Sequence, residues 1–488
     1  MDAFFDRFWQ DIAGWLLLLE VVVTAGTLLA VLHLKREPMS AIAWCLTVIL
    51  LPLVGPLLFL VFGYQTVTRP IVRRKTRKKA YRSIAAGAPL EAKPGDDAPP
   101  VVVPRRWEVL VRLGHHADGY PVTPGNRVEL YHHGEPAYAA MLTAIDAAKH
   151  HVHIEFFIFR GDGSGRRFIT ALVAAARRGV EVRFLYDSLG SHGMSRRLVR
   201  ELVDAGGKVT GFLPLLNPIY RFRVNLRNHR KIVITDGRVG FTGGLNVGDE
   251  YLGKVEHFGY WRDTFLRLEG PAVESLQRVF LEDWHYATEE PVRGPKYYPE
   301  PVPHPGTSLV QIVHSGPDAE YKAIRETYFA GILRGRKRVW IASPYFVPDS
   351  GLRDALILAG RAGVDVRYLG LFRPDHWLAF LAARYYWAEL MAAGVKVYQY
   401  GRGIMHSKYM LVDGEWASVG TANFDNRSLL LNYEVNAMVY NPVVVAELEE
   451  HFLRDLEWAV RIDPEQFARR PFIAKLAENA ARLLSPVL

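Results

Sequence analysis

Two stretches of the chain, NHRKIVITDGRVGFTGGLN (228–246) and MHSKYMLVDGEWASVGTAN (405–423), space their polar residues identically. Each contains His-x-Lys-x4-Asp, then a Gly seven residues after the Asp, then an Asn three residues later. The matching residues are His229, Lys231, Asp236, Gly243 and Asn246, and His406, Lys408, Asp413, Gly420 and Asn423. Residues two apart in a β-strand lie on the same face, so each His and Lys project together. One copy alone would be an ordinary strand, but two copies in one chain predict a shared site.

The sequence on either side of these motifs is also duplicated. A strand-like run, HVHIEFFIF (151–159) or VWIASPYFV (339–347), is followed by a helical pattern and a second strand. The helix-to-strand junctions RRGVEVRFL (177–185) and RAGVDVRYL (361–369) match closely. Alternating strands and helices predict an α/β sheet in each half, and duplication predicts a pseudo-symmetric pair of domains.

The domain boundaries follow from composition. A Pro-rich stretch divides the two halves. We therefore predict one domain over residues 105–300 and a second over 301–488, the latter ending in helices.

An imidazole and an ammonium group at each motif suit a phosphate better than a metal ion, because the lysine repels cations. Lysine and asparagine can hold anionic oxygens with charge-assisted hydrogen bonds. One histidine can attack phosphorus while the other protonates the leaving alcohol, and the roles reverse in a second step. An ordinary histidine pKa of about 6.5 makes both protonation states accessible near neutrality.

A further pair of acidic residues has matching positions. Asp263 in WRDTFLRLEGPAV (261–273) and Glu434 in NYEVNAMVYNPVV (432–444) each lie eight residues before a proline. A carboxylate that accepts a hydrogen bond from Nδ1 fixes the imidazole tautomer and stabilises the imidazolium form. We predict that supporting role for Asp263 and Glu434.

The N-terminal region, residues 1–65, is apolar. Residues 12–34 and 41–62 are each long enough to cross a hydrocarbon core of about 30 Å, so they predict a transmembrane helical hairpin. Glu20 lies inside the first segment, and the sequence assigns it no role. The chain has 488 residues, 49% of them apolar, which excludes global disorder. Cys45 is the only cysteine, which excludes an internal disulfide.

A basic juxtamembrane segment and linker, residues 66–104, follow the hairpin. Residues 66–82 hold eight Lys or Arg and no acid, and account for most of the formal net charge of +9. The positive-inside rule places this run, and both termini, in the cytoplasm, and the run can also bind anionic lipids. The nearly neutral remainder argues against nucleic acid, which needs distributed basic residues.

The doubled motif resembles the signature of the phospholipase D superfamily, an α/β fold. Within it the chain resembles the bacterial cardiolipin synthases, through the N-terminal hairpin and through further stretches. These are GFTGGLNVGDEYLG (240–253), SPYFVPD (343–349), NFDNRS (423–428) and RLLSPVL (482–488). The resemblance covers nearly the whole chain.

That resemblance implies two α/β/α domains whose motifs meet at one active site, without a metal or cofactor. It implies that two phosphatidylglycerols give cardiolipin and glycerol at the bacterial cell membrane, with the catalytic domains on the cytoplasmic side. We assign the covalent phosphatidyl intermediate to His229 and the acid and base steps to His406. The residues expected to bind phosphate are Lys231, Asn246, Lys408, Thr421 and Asn423. Asp236 and Asp413 complete the catalytic motifs and are expected to act structurally.

One position departs from the superfamily pattern. The residue after the motif glycine is often Ser, but here it is Gly244 in the first copy and Thr421 in the second. Thr421 can donate a hydroxyl and Gly244 cannot. The two halves are therefore not equivalent.

Other activities compete with cardiolipin synthesis. Phospholipase D hydrolysis, or transfer with another lipid donor or acceptor, needs the same residues. A membrane-tethered nuclease or a non-enzymatic scaffold fits the charge distribution and the complete motifs less well. A symmetric homodimer is a further expectation.

Several other residues were weighed. The histidine pairs 115–116, 132–133 and 150–151 are expected to be ordinary histidines, because adjacent residues do not face one site. The stretch FLPLLNPIY (212–220), with Leu213, Leu215 and Leu216, is the preferred candidate for membrane contact. WLAFLAARYYWAELM (377–391) fits either membrane contact or core packing.

Overall fold

The computed structural model describes residues 2–35, 38–63, 102–118, 120–213, 226–299 and 305–488. The chain divides into two compact units, Met1–Arg74 and Lys75–Leu488. The predicted basic segment and most of the predicted linker lie outside the described residues.

The N-terminal unit is helical. It contains α1 (Asp2–Leu34), α2 (Pro38–Leu50), α3 (Val54–Leu58) and a π-helical turn, Phe59–Gly63. Among the described residues, Ala13–Leu34 is the one helix that is long and apolar enough to cross a membrane. The first predicted span is therefore present as a helix. The second, residues 41–62, is not a continuous helix, and this part of the prediction is corrected.

The second apolar segment is interrupted at residues 51–53 and folds back on itself. Pro52 has no backbone N–H to continue the helical ladder. A Cβ added to Gly55 would lie 2.5 Å from the carbonyl oxygen of Thr47, so α3 packs directly against α2. The rings of Trp44 and Phe59 also meet edge to face, with centroids 5.4 Å apart. At 1.5 Å per residue α2 is only about 20 Å long, shorter than the hydrocarbon core.

The described residues of the second unit form one main sheet of fifteen strands. The strands of its first half are β1 (Thr123–Tyr131), β2 (His151–Phe156), β3 (Glu181–Asp187), β4 (Lys208–Phe212), β5 (Ile232–Thr235), β6 (Val239–Gly243) and β8 (Phe265–Glu269). Those of its second half are β9 (Ser308–Ser315), β10 (Arg338–Ala342), β12 (Asp365–Leu371), β13 (Lys396–Tyr400), β15 (Tyr409–Val412), β16 (Trp416–Gly420), β18 (Glu434–Tyr440) and β19 (Ala459–Arg461).

The strand order reveals the duplication. It runs β19-β13-β12-β10-β15-β16-β18-β9-β1-β8-β6-β5-β2-β3-β4, so the same order leads outward from the central pair β9 and β1. In each half the outer strands β2-β3-β4 or β10-β12-β13 are parallel and the inner strands are antiparallel. Because β1 pairs antiparallel with β9, the two predicted α/β domains share one continuous sheet.

Helices cover the sheet. They are α4 (Glu108–Asp118), α5 (Gly134–Ala147), α6 (Gly163–Arg177), α7 (Arg196–Asp204), α8 (Ala272–Thr288), α9 (Ala323–Arg334), α10 (Ser350–Arg361), α11 (Trp377–Ala392), α12 (Pro442–Glu457), α13 (Pro464–Ala468) and α14 (Phe472–Arg482). Almost every residue of α8 is buried, and this helix packs against strands of both halves. The predicted C-terminal helices are present as α12 to α14.

Two short parallel ladders stand apart from the main sheet. β7 (Tyr260–Arg262) pairs with β14 (Gly403–Met405), and β11 (Phe346–Val347) pairs with β17 (Phe424–Asp425). The β7–β14 ladder joins a strand of the first half to one of the second. It ends immediately before Asp263 and His406, and therefore brings those two residues together.

Candidate active site

Each motif histidine and lysine immediately precedes a central strand. His229 and Lys231 come before β5, and His406 and Lys408 come before β15. Each lysine ammonium donates to the carbonyl oxygen of its own motif histidine, at 2.6 Å for Lys231 and 2.5 Å for Lys408. All four side chains are buried or nearly so. These residues therefore lie just before the strands and not within them, which corrects the strand position predicted for each His and Lys.

Each histidine is held by a carboxylate from the other half of the chain. His229 Nδ1 lies 2.9 Å from Glu434 Oε2, and His406 Nδ1 lies 2.6 Å from Asp263 Oδ2. The His229 backbone N–H donates to the carbonyl of Tyr433 in the same crossed arrangement. The sequence indicated the two carboxylates but not the crossing, because no pattern within one half encodes a contact with the other.

The two carboxylates have different surroundings. Glu434 accepts from the Thr421 hydroxyl at 2.6 Å and from the Asn432 amide at 3.3 Å. Asp263 accepts from the backbone N–H of Thr264 at 2.8 Å. Thr421 was predicted to bind phosphate, but its hydroxyl supports Glu434 instead. That placement changes its expected contribution from contact with substrate to positioning.

Gly244 and Thr421 differ for a steric reason. A Cβ added to Gly244 would lie 2.1 Å from the Asp263 carboxylate, which fills the space that Thr421 occupies in the second half. The longer Glu434 leaves room for a side chain at position 421, whose hydroxyl it then uses. Asp263 therefore requires glycine at position 244, whereas Glu434 allows threonine at position 421 and accepts its hydrogen bond.

Both histidines face one cleft of about 640 Å³. Asn246 and Asn423, predicted to hold phosphate, also line it, one from each half. The Asn246 amide oxygen accepts from the Ile158 backbone N–H at 3.1 Å. The Asn423 amide oxygen is buried and has no hydrogen-bond partner within the described part of the chain. The cleft can therefore offer amide groups to a bound ligand from two sides.

Burial sets the protonation of the cleft. It lowers the pKa of His229 well below its usual value, helped by the nearby Lys231 and Lys408. Burial also lowers the pKa of His406, although the Asp263 carboxylate opposes that effect. The pKa of Lys231 falls to about 7 and that of Lys408 to about 8, again through burial. Burial raises the pKa of Glu434 to about 7. The negative charge of a bound phosphate would favour the protonated form of both lysines over the neutral form.

Asp236 and Asp413 lie away from the histidines. Each comes directly after β5 or β15, seven residues from its histidine, which is at most about 23 Å at 3.3 Å per residue. Asp236 accepts three backbone N–H bonds from residues 149–151, and Asp413 accepts three from residues 336–338. These aspartates therefore anchor the turns before β2 and β10, which fits the structural role expected for them.

In the pairs 132–133 and 150–151 one histidine is exposed and the other is buried, so His132 and His151 correct the expectation of surface histidines. His133 Nδ1 meets the Tyr260 hydroxyl, whereas His132 faces Glu447 and His451. The last three could offer ligand atoms within 4.8 Å of one another. However, the Arg262 guanidinium lies 3.5 Å from His132 Nδ1, and a second cation beside it is unfavourable. The cluster is therefore poorly suited to a metal.

Two stretches were predicted as candidates for membrane contact, and the structure describes them to different extents. Leu213 is buried, which corrects its assignment as a membrane-facing side chain, and Leu215 and Leu216 lie outside the described residues. In the alternative stretch, Trp377 is 67% exposed and Leu378 is 43% exposed at the start of α11. Leu378 also lines the cleft. Six later residues of α11, among them Trp387 and Leu390, are buried in the core.

Comparison with known proteins decides the family. A family model described as "Cardiolipin synthase, PLD-like domain" matches residues 141–284 and 329–456, which is more than half of the chain. The chain belongs to the cardiolipin synthase family. A second model, "Phospholipase_D-nuclease N-terminal", matches residues 22–63. The family assignment agrees with the resemblance inferred from the motifs.

Individual relatives support the assignment over the full length. A cardiolipin synthase of Geobacillus kaustophilus (strain HTA426) is 40% identical and covers 100% of this chain and 96% of its own. A cardiolipin synthase of Geobacillus sp. (strain WCH70) is 41% identical over 93% of this chain and 90% of its own. This member of the family is thus an enzyme associated with the membrane.

The fold is similar to a solved structure. The phosphatidylserine synthase of Haemophilus influenzae Rd KW20 superimposes with a TM-score of 0.58 at 15% identity. It covers 78% of this chain and 100% of its own. At that identity the likeness concerns the fold alone, and it agrees with the predicted α/β architecture of two phospholipase D-like halves.

Proposed function

We propose that this enzyme condenses two phosphatidylglycerols into cardiolipin and glycerol. The observation that carries the proposal is the pair His229 and His406 on one cleft, each oriented by a carboxylate of the opposite half. Two imidazoles of this kind provide a nucleophile and an acid for exchanging one alcohol on phosphorus for another. Family membership supplies the lipid substrate class.

In the first step His229 attacks the phosphorus of one phosphatidylglycerol. Its pKa is lowered, so the imidazole is neutral and its Nε2 can carry a lone pair while Nδ1 donates to Glu434. A P–N bond forms as the bond from phosphorus to the glycerol oxygen breaks. Burial lowers the pKa of His406 as well, but Asp263 and the bound phosphate favour its protonated form, which gives its proton to that oxygen.

In the second step a hydroxyl of another phosphatidylglycerol attacks the phosphatidyl-histidine. Neutral His406 removes the hydroxyl proton, a new P–O bond forms and the P–N bond breaks. In this scheme Lys231, Lys408, Asn246 and Asn423 stabilise the phosphoryl oxygens, and the two asparagines line the cleft. No step in this scheme needs a cofactor.

The catalytic unit acts at the cytoplasmic face of the cell membrane in this proposal. The basic residues 66–82 follow the apolar N-terminal region and favour the cytoplasmic side. Anionic phosphatidylglycerol would also be attracted to them. A homodimer remains a proposal that solution mass measurements in detergent can test.

The test is product analysis with the full-length protein in phosphatidylglycerol vesicles containing EDTA. Cardiolipin and glycerol should form, and both should disappear in His229→Ala and His406→Ala. His150→Ala removes an exposed histidine and serves as the control. Phosphatidic acid as the sole product would mean that water is the acceptor. Unsubstituted enzyme denatured at alkaline pH during turnover, where a P–N bond survives, should carry a phosphatidyl group on His229, and label on another residue would contradict the assigned nucleophile.

A further inference from the structure

The catalytic groups repeat in both halves, but three positions around them do not. The positions are two residues before each motif histidine, two residues before each supporting carboxylate, and four residues after each motif asparagine. On the His229 side they hold Arg227, Asn432 and Arg427, and on the His406 side they hold Ile404, Trp261 and Glu250. One side is therefore cationic and polar, and the other is apolar, aromatic and acidic.

Backbone pairing gathers the three polar residues beside His229. The Tyr433 N–H donates to the Arg227 carbonyl at 2.9 Å, and the Asn432 N–H donates to the Arg427 carbonyl at 2.9 Å. Arg227, Arg427 and Asn432 all line the cleft that His229 faces. The charge of Arg427 lowers the pKa of both Arg227 and His229, so the two guanidiniums and the imidazole lie within electrostatic range.

The opposite side of the cleft has a different character. The rings of Trp261 and Tyr251 have centroids 5.1 and 6.3 Å from that of His406. Glu250, in the position equivalent to Arg427, accepts from Arg160 at 3.4 Å. The charges of Glu250 and Arg160 compensate each other, so a second anion entering the cleft would be attracted more strongly beside His229.

Two carboxylates lie near the arginines, and one of them, Asp425, also lines the cleft. Asp187 accepts backbone N–H bonds from Leu189, Gly190 and Asn228, and Asp425 accepts one from Ser428. Burial lowers the pKa of both Arg227 and Arg427, and these carboxylates oppose that effect. The buried amide oxygen of Asn432 has no hydrogen-bond partner in the described regions, while its nitrogen donates to Glu434. The Asn432 amide oxygen can therefore accept a hydrogen bond from a hydroxyl group of a bound ligand.

We propose that Arg227 and Arg427 bind the intact phosphodiester of the acceptor lipid, with Asn432 accepting from its glycerol. This inference rests on the proposed function. Only three carbons separate the attacking hydroxyl of phosphatidylglycerol from its own phosphate, so two anions must lie side by side. The lysines serve the reacting phosphate and the arginines serve the other, through charge-assisted hydrogen bonds. The acceptor oxygen bonds phosphorus, the P–N bond breaks, and the hydroxyl proton passes to His406.

The test compares two acceptors in one reaction. Full-length protein is incubated with phosphatidylglycerol vesicles and 1-butanol. Transfer to phosphatidylglycerol, an acceptor that carries a phosphate, gives cardiolipin. Transfer to 1-butanol, an acceptor without a phosphate, gives phosphatidylbutanol. Arg427→Gln should lower the ratio of cardiolipin to phosphatidylbutanol by about tenfold or more, the loss of one hydrogen bond to a charged group. Arg427→Lys should recover part of the ratio. Arg197→Gln, which removes an exposed arginine of α7 outside the cleft, should leave it unchanged.

Other outcomes would overturn the proposal. An equal fall of both products in Arg427→Gln and Arg227→Gln would show that the arginines serve the donor or the fold. An unchanged ratio would show that they do not contact the acceptor. If Arg427→Gln does not fold, as judged by its melting curve, Arg227→Gln gives the same comparison. Failure of the proposed function is distinct, because the unsubstituted enzyme would then make phosphatidylbutanol and no cardiolipin.

Discussion

Gly244 shows how one atom can decide the arrangement around a catalytic histidine. A side chain here would collide with the Asp263 carboxylate, which holds His406. We expect Gly244→Ser to displace that carboxylate and lower kcat by roughly 100-fold, since about 2.7 kcal/mol of transition-state stabilisation would be lost. Steady-state kinetics on phosphatidylglycerol vesicles would measure this. Thr421→Ser keeps the equivalent hydroxyl, and it should stay within about threefold of the unsubstituted enzyme. Normal turnover in Gly244→Ser would contradict the steric argument.

Glu434 carries a prediction about pH. Its pKa is raised to about 7 in the folded protein by burial, whereas an unfolded glutamate titrates near 4.5. The folded state therefore binds the proton more tightly, and stability falls as pH rises from about 4.5 to 7. Glu434→Gln has no carboxyl group to titrate and therefore does not lose this stability. The melting temperature of the variant minus that of the unsubstituted protein should therefore increase between pH 5 and 7.5. The increase should correspond to a difference of up to about 3 kcal/mol in the free energy of unfolding.

The same substitution tests catalysis. Glu434→Gln should lower kcat by about two orders of magnitude or more, because a neutral amide cannot stabilise the imidazolium or hold the same tautomer. A pH-independent difference in melting temperature would argue against a raised pKa. Unchanged turnover would remove Glu434 from its positioning role.

At the scale of elements, the break at residues 51–53 changes the expected membrane topology. α1 is long enough to cross the bilayer, whereas α2 and α3 fold back as a short hairpin. One crossing followed by a hairpin places the N-terminus and the basic residues 66–82 on opposite faces. Two crossings, as the sequence alone predicted, would place them on the same face.

Cysteine labelling distinguishes these topologies. Cys45 is the only native cysteine, so Cys45→Ser with Asp2→Cys gives a single reporter at the N-terminus. We expect an impermeant maleimide to label it in intact spheroplasts from the external face. The matched control is Cys45→Ser with Ser83→Cys, which should react only after permeabilisation. Labelling of Asp2→Cys only after permeabilisation would favour two crossings.

At the scale of the whole molecule, the cleft must open toward the lipid surface that supplies its substrate. Trp377 and Leu378 are exposed apolar side chains at the start of α11, and Leu378 also lines the cleft. We expect Trp377→Ser with Leu378→Ser to lower activity on vesicles about fivefold, because apolar area that inserts at the interface is lost. Activity on phosphatidylglycerol dispersed in detergent micelles should change much less.

A control comes from the far edge of the sheet. Trp458 and Val460 are 54% and 57% exposed beside and within β19. Trp458→Ser with Val460→Ser removes similar apolar area away from the cleft and should leave vesicle activity unchanged. Equal losses in both double variants would show a general effect of surface polarity, and not a docking surface beside the cleft.

The sequence by itself determined the duplicated α/β fold, the repeated motif residues His229, Lys231, His406 and Lys408, and the two supporting carboxylates. These features could be recognised because they repeat at fixed spacings in the two halves, although the motif residues precede their strands and do not lie within them. Only the tertiary structure decided which carboxylate supports which histidine, that Thr421 contacts Glu434, and that Arg227 and Arg427 meet beside His229. Those contacts join the two halves, and their geometry arises only when β14 pairs with β7 and Tyr433 pairs with residues 227–229. The reversal at residues 51–53 likewise depends on close packing at Gly55, which hydropathy does not record.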